Sequence, residues 1–170
     1  VAQIVFYATT SNRLFSRVIR LAGLGTHYSH VGCRYGDGLI SAHLGDGFQV
    51  RTIESELPSL SWTWATLQVS DSQAVRHRNW LTSQIGKKYD WAAILGMAEN
   101  AFAEWNRAAG WPNAWYCSAV MLQSLVEIGM GAPIKPDPLR TITPDTFMWV
   151  LWALGAKLAP VAEPSARTIK

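Results

Sequence analysis

Charge is scarce in this chain. Only 16% of its 170 residues are Asp, Glu, Lys or Arg, while 49% are hydrophobic. An ordinary globular domain carries about 25% charged residues, so a disordered polymer is excluded for most of the length. Fifteen Lys and Arg against twelve Asp and Glu leave a net charge of +3. No basic stripe of the kind nucleic-acid binding requires is present. Arg13, Arg17 and Arg20 come nearest, and they read as the solvated face of a helix. Cysteine is scarce too: two residues exclude a disulfide framework and fix no redox compartment. No run approaches the ~18 apolar residues of a membrane-crossing helix. The longest, Phe147 to Ala156, has the length of a buried helix. At the N-terminus, which starts with Val1, neither a charged leader nor a cleavage site is read. What the chain has in quantity is tryptophan, nine residues that need a core or a ligand to pack against; Trp91, Trp149 and Trp152 lie at apolar helical positions and read as core.

Strands come first along the chain and helices after. Ala2 to Ala8 reads as a strand, and Arg13 to Leu21 as a helix after the capping-rich Thr9-Thr10-Ser11-Asn12. Ser29 to Tyr35 and Leu39 to Leu44 read as strands around Gly36-Asp37-Gly38, a hairpin signal. Phe48 to Ile53 and Trp62 to Val69 continue the sheet. Asp71-Ser72 then caps a helix running to Ile85, with Gly86 as its stop. Tyr89 to Ala109 reads as one long helical stretch or two joined at Gly96, broken by Trp111-Pro112-Asn113. Tyr116 to Ile128 is the most apolar helix, ended by Gly129, Gly131 and Pro133. Thr143-Pro144-Asp145 opens a last helix through Leu154. This order predicts an α+β domain over residues 1–160, a small antiparallel sheet packed against helices. Residues 161–170 read as a loose tail.

Cys117 begins the most apolar helix. A helix start offers unpaired N–H groups and a positive dipole end, which favour thiolate over thiol and can hold an oxyanion. The competing reading is a buried structural cysteine. A nucleophilic thiol needs a base, and there are four histidines. His77, in Arg76-His77-Arg78, reads as part of an exposed, polar helix stretch. His27, His30 and Cys33 are spaced by three, but residues three apart in a strand face opposite ways, so no metal site is expected there. His30 and His43 depend on the hairpin register. If Tyr35 to Gly38 form a four-residue loop, Arg34 pairs with Leu39 and His30 faces His43. A two-residue loop at Asp37-Gly38 keeps them on one face, displaced diagonally, and a three-residue loop separates them. Two histidines on one face would supply a base and a partner that orients it; ordinary polar pairing on an exposed sheet face is the alternative.

In order along the chain stand Ser29-His30-Val31-Gly32, a Gly-Asp-Gly turn, Gly86-Lys87-Lys88-Tyr89-Asp90, Tyr116-Cys117-Ser118 and Thr143-Pro144-Asp145. This set resembles the circularly permuted branch of the NlpC-type, papain-like cysteine peptidases, the YiiX-like group, over residues 26–147. The resemblance implies a papain-like fold in which Cys117 is the nucleophile and His30 the base. It places Tyr89 at the oxyanion site, together with Ser118 at the helix start. Permuted members often carry a Glu-Ala pair on the strand after the histidine strand, and here that pair is Ser41-Ala42. His43 is therefore expected as the third polar member, with Ser41 as the alternative and otherwise a substrate-side residue.

The expected chemistry is acyl transfer to a thiolate, with no metal or organic cofactor. The resemblance implies the peptide stems of bacterial cell-wall peptidoglycan as substrate, reached at the envelope after export or delivery. Two alternatives remain: a lipid-ester or lipid-amide hydrolase or acyltransferase of the lecithin:retinol acyltransferase type, and a non-catalytic binding module. Neither nucleic acid nor an integral membrane segment is expected.

Overall fold

Alternation along the strands decides which residues meet the helices. The computed structural model describes residues 1–10, 27–56, 62–90, 114–130 and 142–160. Within them β1 (Ala2–Thr9), β2 (His30–Tyr35), β3 (Gly38–His43), β4 (Gly47–Thr52), β5 (Trp62–Val69) and β8 (Lys157–Pro160) form one six-stranded sheet in the order β4-β3-β2-β1-β5-β8. Every neighbouring pair is antiparallel. Ile4, Phe6 and Ala8 of β1 lie in the main core with Val31 and Cys33 of β2, Ile40 and Ala42 of β3, and Ala65 and Leu67 of β5. Tyr7, between them in sequence, joins Leu39, Ile53, Trp62 and Trp64 in a second, smaller cluster, as the period of two requires.

The described helices are α1 (Ile53–Glu56), α2 (Asp71–Gln84), α3 (Cys117–Glu127) and α4 (Pro144–Ala153). A two-stranded parallel ladder joins β6 (Lys88–Tyr89) to β7 (Ala114–Trp115). The architecture is α+β, as the order of elements predicts. α3 is the core helix: Cys117, Ser118, Ala119, Val120, Met121, Leu122, Ser124 and Leu125 are all buried, and it packs on β2, β3, α2 and α4. α4 begins where Thr143-Pro144 predicts, Thr143 Oγ1 accepting the Thr146 N–H.

The hairpin takes the register in which Arg34 pairs with Leu39 and Tyr35 with Gly38, with Gly36 in the turn at φ +59°. Extended to the start of β2, that register sets His30 opposite His43.

Several expectations are corrected. The α2 cap is Ser70, whose side chain accepts the Gln73 N–H in a capping box, so Asp71 and Ser72 already lie inside the helix. Tyr89 sits in β6 and not at the head of a helix. Trp149 and Trp152, read as core residues at helical spacing, are 67% and 58% exposed; Phe147, Met148 and Leu151 take the inner face of α4 instead. β8, beyond α4, pairs with β5 and has no counterpart in the sequence reading. The helix expected at 13–21, nearly all of that at 89–109, the break at 111–113, Trp91, and the tail at 161–170 lie outside the described residues.

His77 is also corrected. It is buried, its Nε2 lies 3.0 Å from Ser124 Oγ, and its ring meets Phe6 edge-on. Burial drives its pKa down from 6.5 to about 4. The folded state therefore holds it neutral, and the stability this provides is complete above pH 6.5 and lost as pH falls toward 4. The loss should amount to about 3 kcal/mol. Thermal melts between pH 7 and pH 4 should show this slope, and His77→Gln should flatten it; an unchanged slope would exclude His77 as its source.

Candidate active site

Tyr116 is extended at φ −104° and ψ 162° and no side chain caps α3, so the helix opens with its first N–H groups free to face the Cys117 thiol. Cys117 is 2% exposed, and its sulfur takes hydrogen bonds from the backbone N–H groups of Ser118 and Val31. Burial alone would push this thiol up. The charge of the His30 imidazole and a hydrogen bond from it outweigh burial, and the pKa falls below the ordinary 9.0. For His30 burial pulls the pKa down, but the Cys117 charge, the hydrogen bond to it, and Glu56 raise it from 6.5 to about 10. Both shifts point the same way, toward the thiolate–imidazolium form of the pair.

The carboxylate behind His30 is Glu56, the last residue of α1. Its Oε1 lies 3.0 Å from His30 Nε2, which leaves Nδ1 as the ring nitrogen for Cys117. The Glu56 side chain is only 3% exposed. Tyr7 donates its hydroxyl hydrogen to Oε1 at 2.6 Å, Ser41 Oγ lies 3.2 Å from the same oxygen, and His43 Nε2 lies 3.2 Å from Oε2. Arg51 Nη1 adds a positive charge 3.7 Å away. Burial would raise the carboxyl pKa, but the hydrogen bond and charge of His30, with His43 and Tyr7, lower it from 4.5 to about 2.

Glu56 thus occupies the place the sequence reading assigned to His43 or Ser41. His43 does lie beside His30, ring centroids 5.1 Å apart. Its Nε2, however, bonds Ser41 Oγ at 2.7 Å and lies against the Glu56 carboxylate, so the expected contact of His43 with the His30 ring nitrogens is made by Glu56 and Ser41 instead. Burial and the His30 charge pull its pKa down to about 3, which keeps it neutral. Ser41 is fully buried and bridges His30 (3.0 Å), His43 and Glu56; it has no surface to offer a substrate.

Tyr89 and Ser118 reach the site in different ways. Tyr89 is buried, and its phenol pKa is raised by burial and then by the Cys117 charge, so it remains a protonated O–H in the field of the sulfur. Its strand is docked on β4 by Gly86 N–H to Phe48 C=O and Phe48 N–H to Lys87 C=O, both 2.8 Å. Gly47, at φ +75°, allows this approach, since an added Cβ would collide with the Lys87 carbonyl oxygen. Ser118 contributes its backbone N–H. Its hydroxyl donates instead to the Ile142 carbonyl at 2.6 Å.

Asp145, in the first turn of α4, accepts the His27 N–H at 3.0 Å and the Tyr28 N–H at 3.1 Å. It thereby holds the chain just ahead of His30.

His27, His30 and Cys33 do not converge. Cys33 is buried in the core with its thiol pushed far up by burial, and His27 is exposed against Tyr28. The donor set that could take a divalent ion is a different one, His30, His43 and Glu56, whose ligating atoms lie within 4.8 Å of one another; here hydrogen bonds join them. Among the described residues no helix is long and apolar enough to cross a membrane. No protein-family model matches this chain, and no curated protein matches it in sequence.

Proposed function

We propose that this chain is a cysteine hydrolase with Cys117 as nucleophile, His30 as base and Glu56 as the acid that orients it. The observation that carries the reading is the buried Cys117–His30 pair at the start of α3, with Glu56 3.0 Å behind the imidazole. Nucleophile, base and orienting group stand in the sequence that acyl transfer needs. The thiolate attacks a carbonyl carbon, and N–H groups at the helix start, with the Tyr89 hydroxyl, stabilise the oxyanion. His30 gives its proton to the leaving amine, so the C–N bond breaks and a thioester remains. His30 then takes a proton from water, which attacks the thioester and releases acid and thiolate. The resemblance read from the sequence supports a papain-like, permuted NlpC-type arrangement and, as substrate, the peptide stems of bacterial peptidoglycan.

A second reading, a lipid ester or amide as substrate, is favoured by one observation. Trp149 and Trp152 stand together on the outer face of α4, ring centroids 5.3 Å apart, in the manner of aromatic side chains at a membrane interface. Incubation with purified sacculi and with phospholipid vesicles separates the two. Cleavage in the stem peptide should give new free amino groups and no new reducing sugar ends. Fatty acid released from vesicles, with sacculi untouched, would overturn the peptidoglycan substrate and establish the lipid one.

A further inference from the structure

The geometry points to Tyr7 as a positioning residue of this site: its phenol fixes the Glu56 carboxylate, and through it sets the orientation and proton affinity of His30. The inference rests on the proposed role of the Cys117–His30–Glu56 set, which by itself assigns Tyr7 nothing.

Three observations carry it. Tyr7 is fully buried, yet its hydroxyl does not go to a backbone carbonyl; it goes to Glu56 Oε1, the oxygen that also faces His30 Nε2, at 2.6 Å against 3.0 Å. The sheet is also built around this phenol. Gly32, one strand away, lies under it, and a Cβ there would stand 2.5 Å from Tyr7 Cε1 and 2.6 Å from the hydroxyl oxygen. Finally, Glu56 belongs to a four-residue helix that Ser41 and His43 tie to β3; Tyr7, at 2.6 Å the shortest of these contacts, ties it to β1, which pairs with both β2 and β5.

One donated hydrogen has two opposing effects. It holds the carboxylate in line with Nε2, which helps the base. It also draws charge from Oε1, which weakens the pull on the imidazolium proton and lets His30 give that proton to the leaving group. Among the described residues, the other charged or titratable groups around Glu56 and His30 are Cys117 from α3, His43 from β3 and Arg51 from β4, with Asp46 against Arg51 and His43 and Tyr89 in the field of Cys117; Tyr7→Phe leaves all of them in place.

Tyr7→Phe should lower kcat about 10-fold with KM within about twofold, the cost of one hydrogen bond to a charged group. The His30 imidazole, titrated by NMR, should move upward in pKa. Trp64→Phe, which trims the ring packed on Tyr7 and spares the hydroxyl, should lower the melting temperature and leave the His30 titration where it was. Should Tyr7→Phe not fold, 3-fluorotyrosine at position 7 keeps the shape and makes a stronger donor, so His30 should move downward. An unmoved His30 titration in the fluorinated chain, or a Tyr7→Phe shift that Trp64→Phe reproduces, would overturn the inference. A wild-type chain without hydrolysis would overturn the proposed function, and the titration would still decide whether Tyr7 governs the carboxylate.

Discussion

Cys117→Ala should abolish hydrolysis, lowering kcat on the order of 10⁴–10⁶-fold, because groups acting as one unit fail together. Stability should fall by only roughly 1 kcal/mol, since a single sulfur is removed from a buried site. The thiol gives an independent measure. Iodoacetamide should modify Cys117 with a pH inflection below 9.0, the direction its pairing with His30 dictates. In His30→Gln the inflection should move up, since only the Ser118 and Val31 N–H groups then oppose burial. Cys33 should stay unmodified in the folded chain: both cysteines are buried, but at Cys33 burial acts alone and keeps the thiol protonated. Hydrolysis that survived Cys117→Ala and vanished with Cys33→Ala would place the nucleophile on the wrong element.

Glu56 variants should show the next largest effect, divided between rate and stability. Glu56→Gln keeps the shape and removes the charge behind His30, and the expected loss is about 10²–10⁴-fold in kcat. Glu56→Ala also strands Tyr7, Ser41 and His43 around an empty site. It should cost about 3–5 kcal/mol, the usual result of removing one member of a buried charged cluster. The acid side of the stability curve carries the same signature. Glu56 is held at about 2 in the fold, below its ordinary 4.5, so its contribution is complete above pH 4.5 and disappears as pH falls toward 2. Urea midpoints at pH 7 and pH 3 should therefore differ less in Glu56→Gln than in the wild type. If His43→Ala abolished activity and Glu56→Gln retained it, the acid assigned here would be the wrong one.

The sheet was legible because its strands are short apolar, β-rich runs bounded by turn residues. Ile4, Phe6 and Ala8 set the face of β1, and the glycines at 36 and 38 confined the hairpin to a few registers. Cys117 was legible because apolar periodicity begins at Tyr116, where a loop hands over to a helix. Glu56 was not legible. Ile53-Glu54-Ser55-Glu56 has no period to read, and its partners His30 and Tyr7 lie 26 and 49 residues away; a glutamate in a short turn is ordinarily solvated. His77 misled for a related reason. Arg76 and Arg78 make the segment look polar, but a helix turns about 100° per residue, and positions 77, 81 and 84 share the buried face. α4 is apolar on both faces, so the direction in which Trp149 and Trp152 point is set by the sheet and not by their own spacing. Lys88–Tyr89 is too short to show any period.

The four residues from Ile142 to Asp145 act on both halves of the ion pair at once: the Ile142 carbonyl receives Ser118, next to Cys117, and Asp145 receives the two N–H groups just ahead of His30. All of these partners precede the staple in the chain. The pairing of thiol and imidazole thus depends on a segment that follows both of them in the chain. Displacing α4 should therefore loosen the thiol and the imidazole together, because Ile142 and Asp145 lead into that one helix.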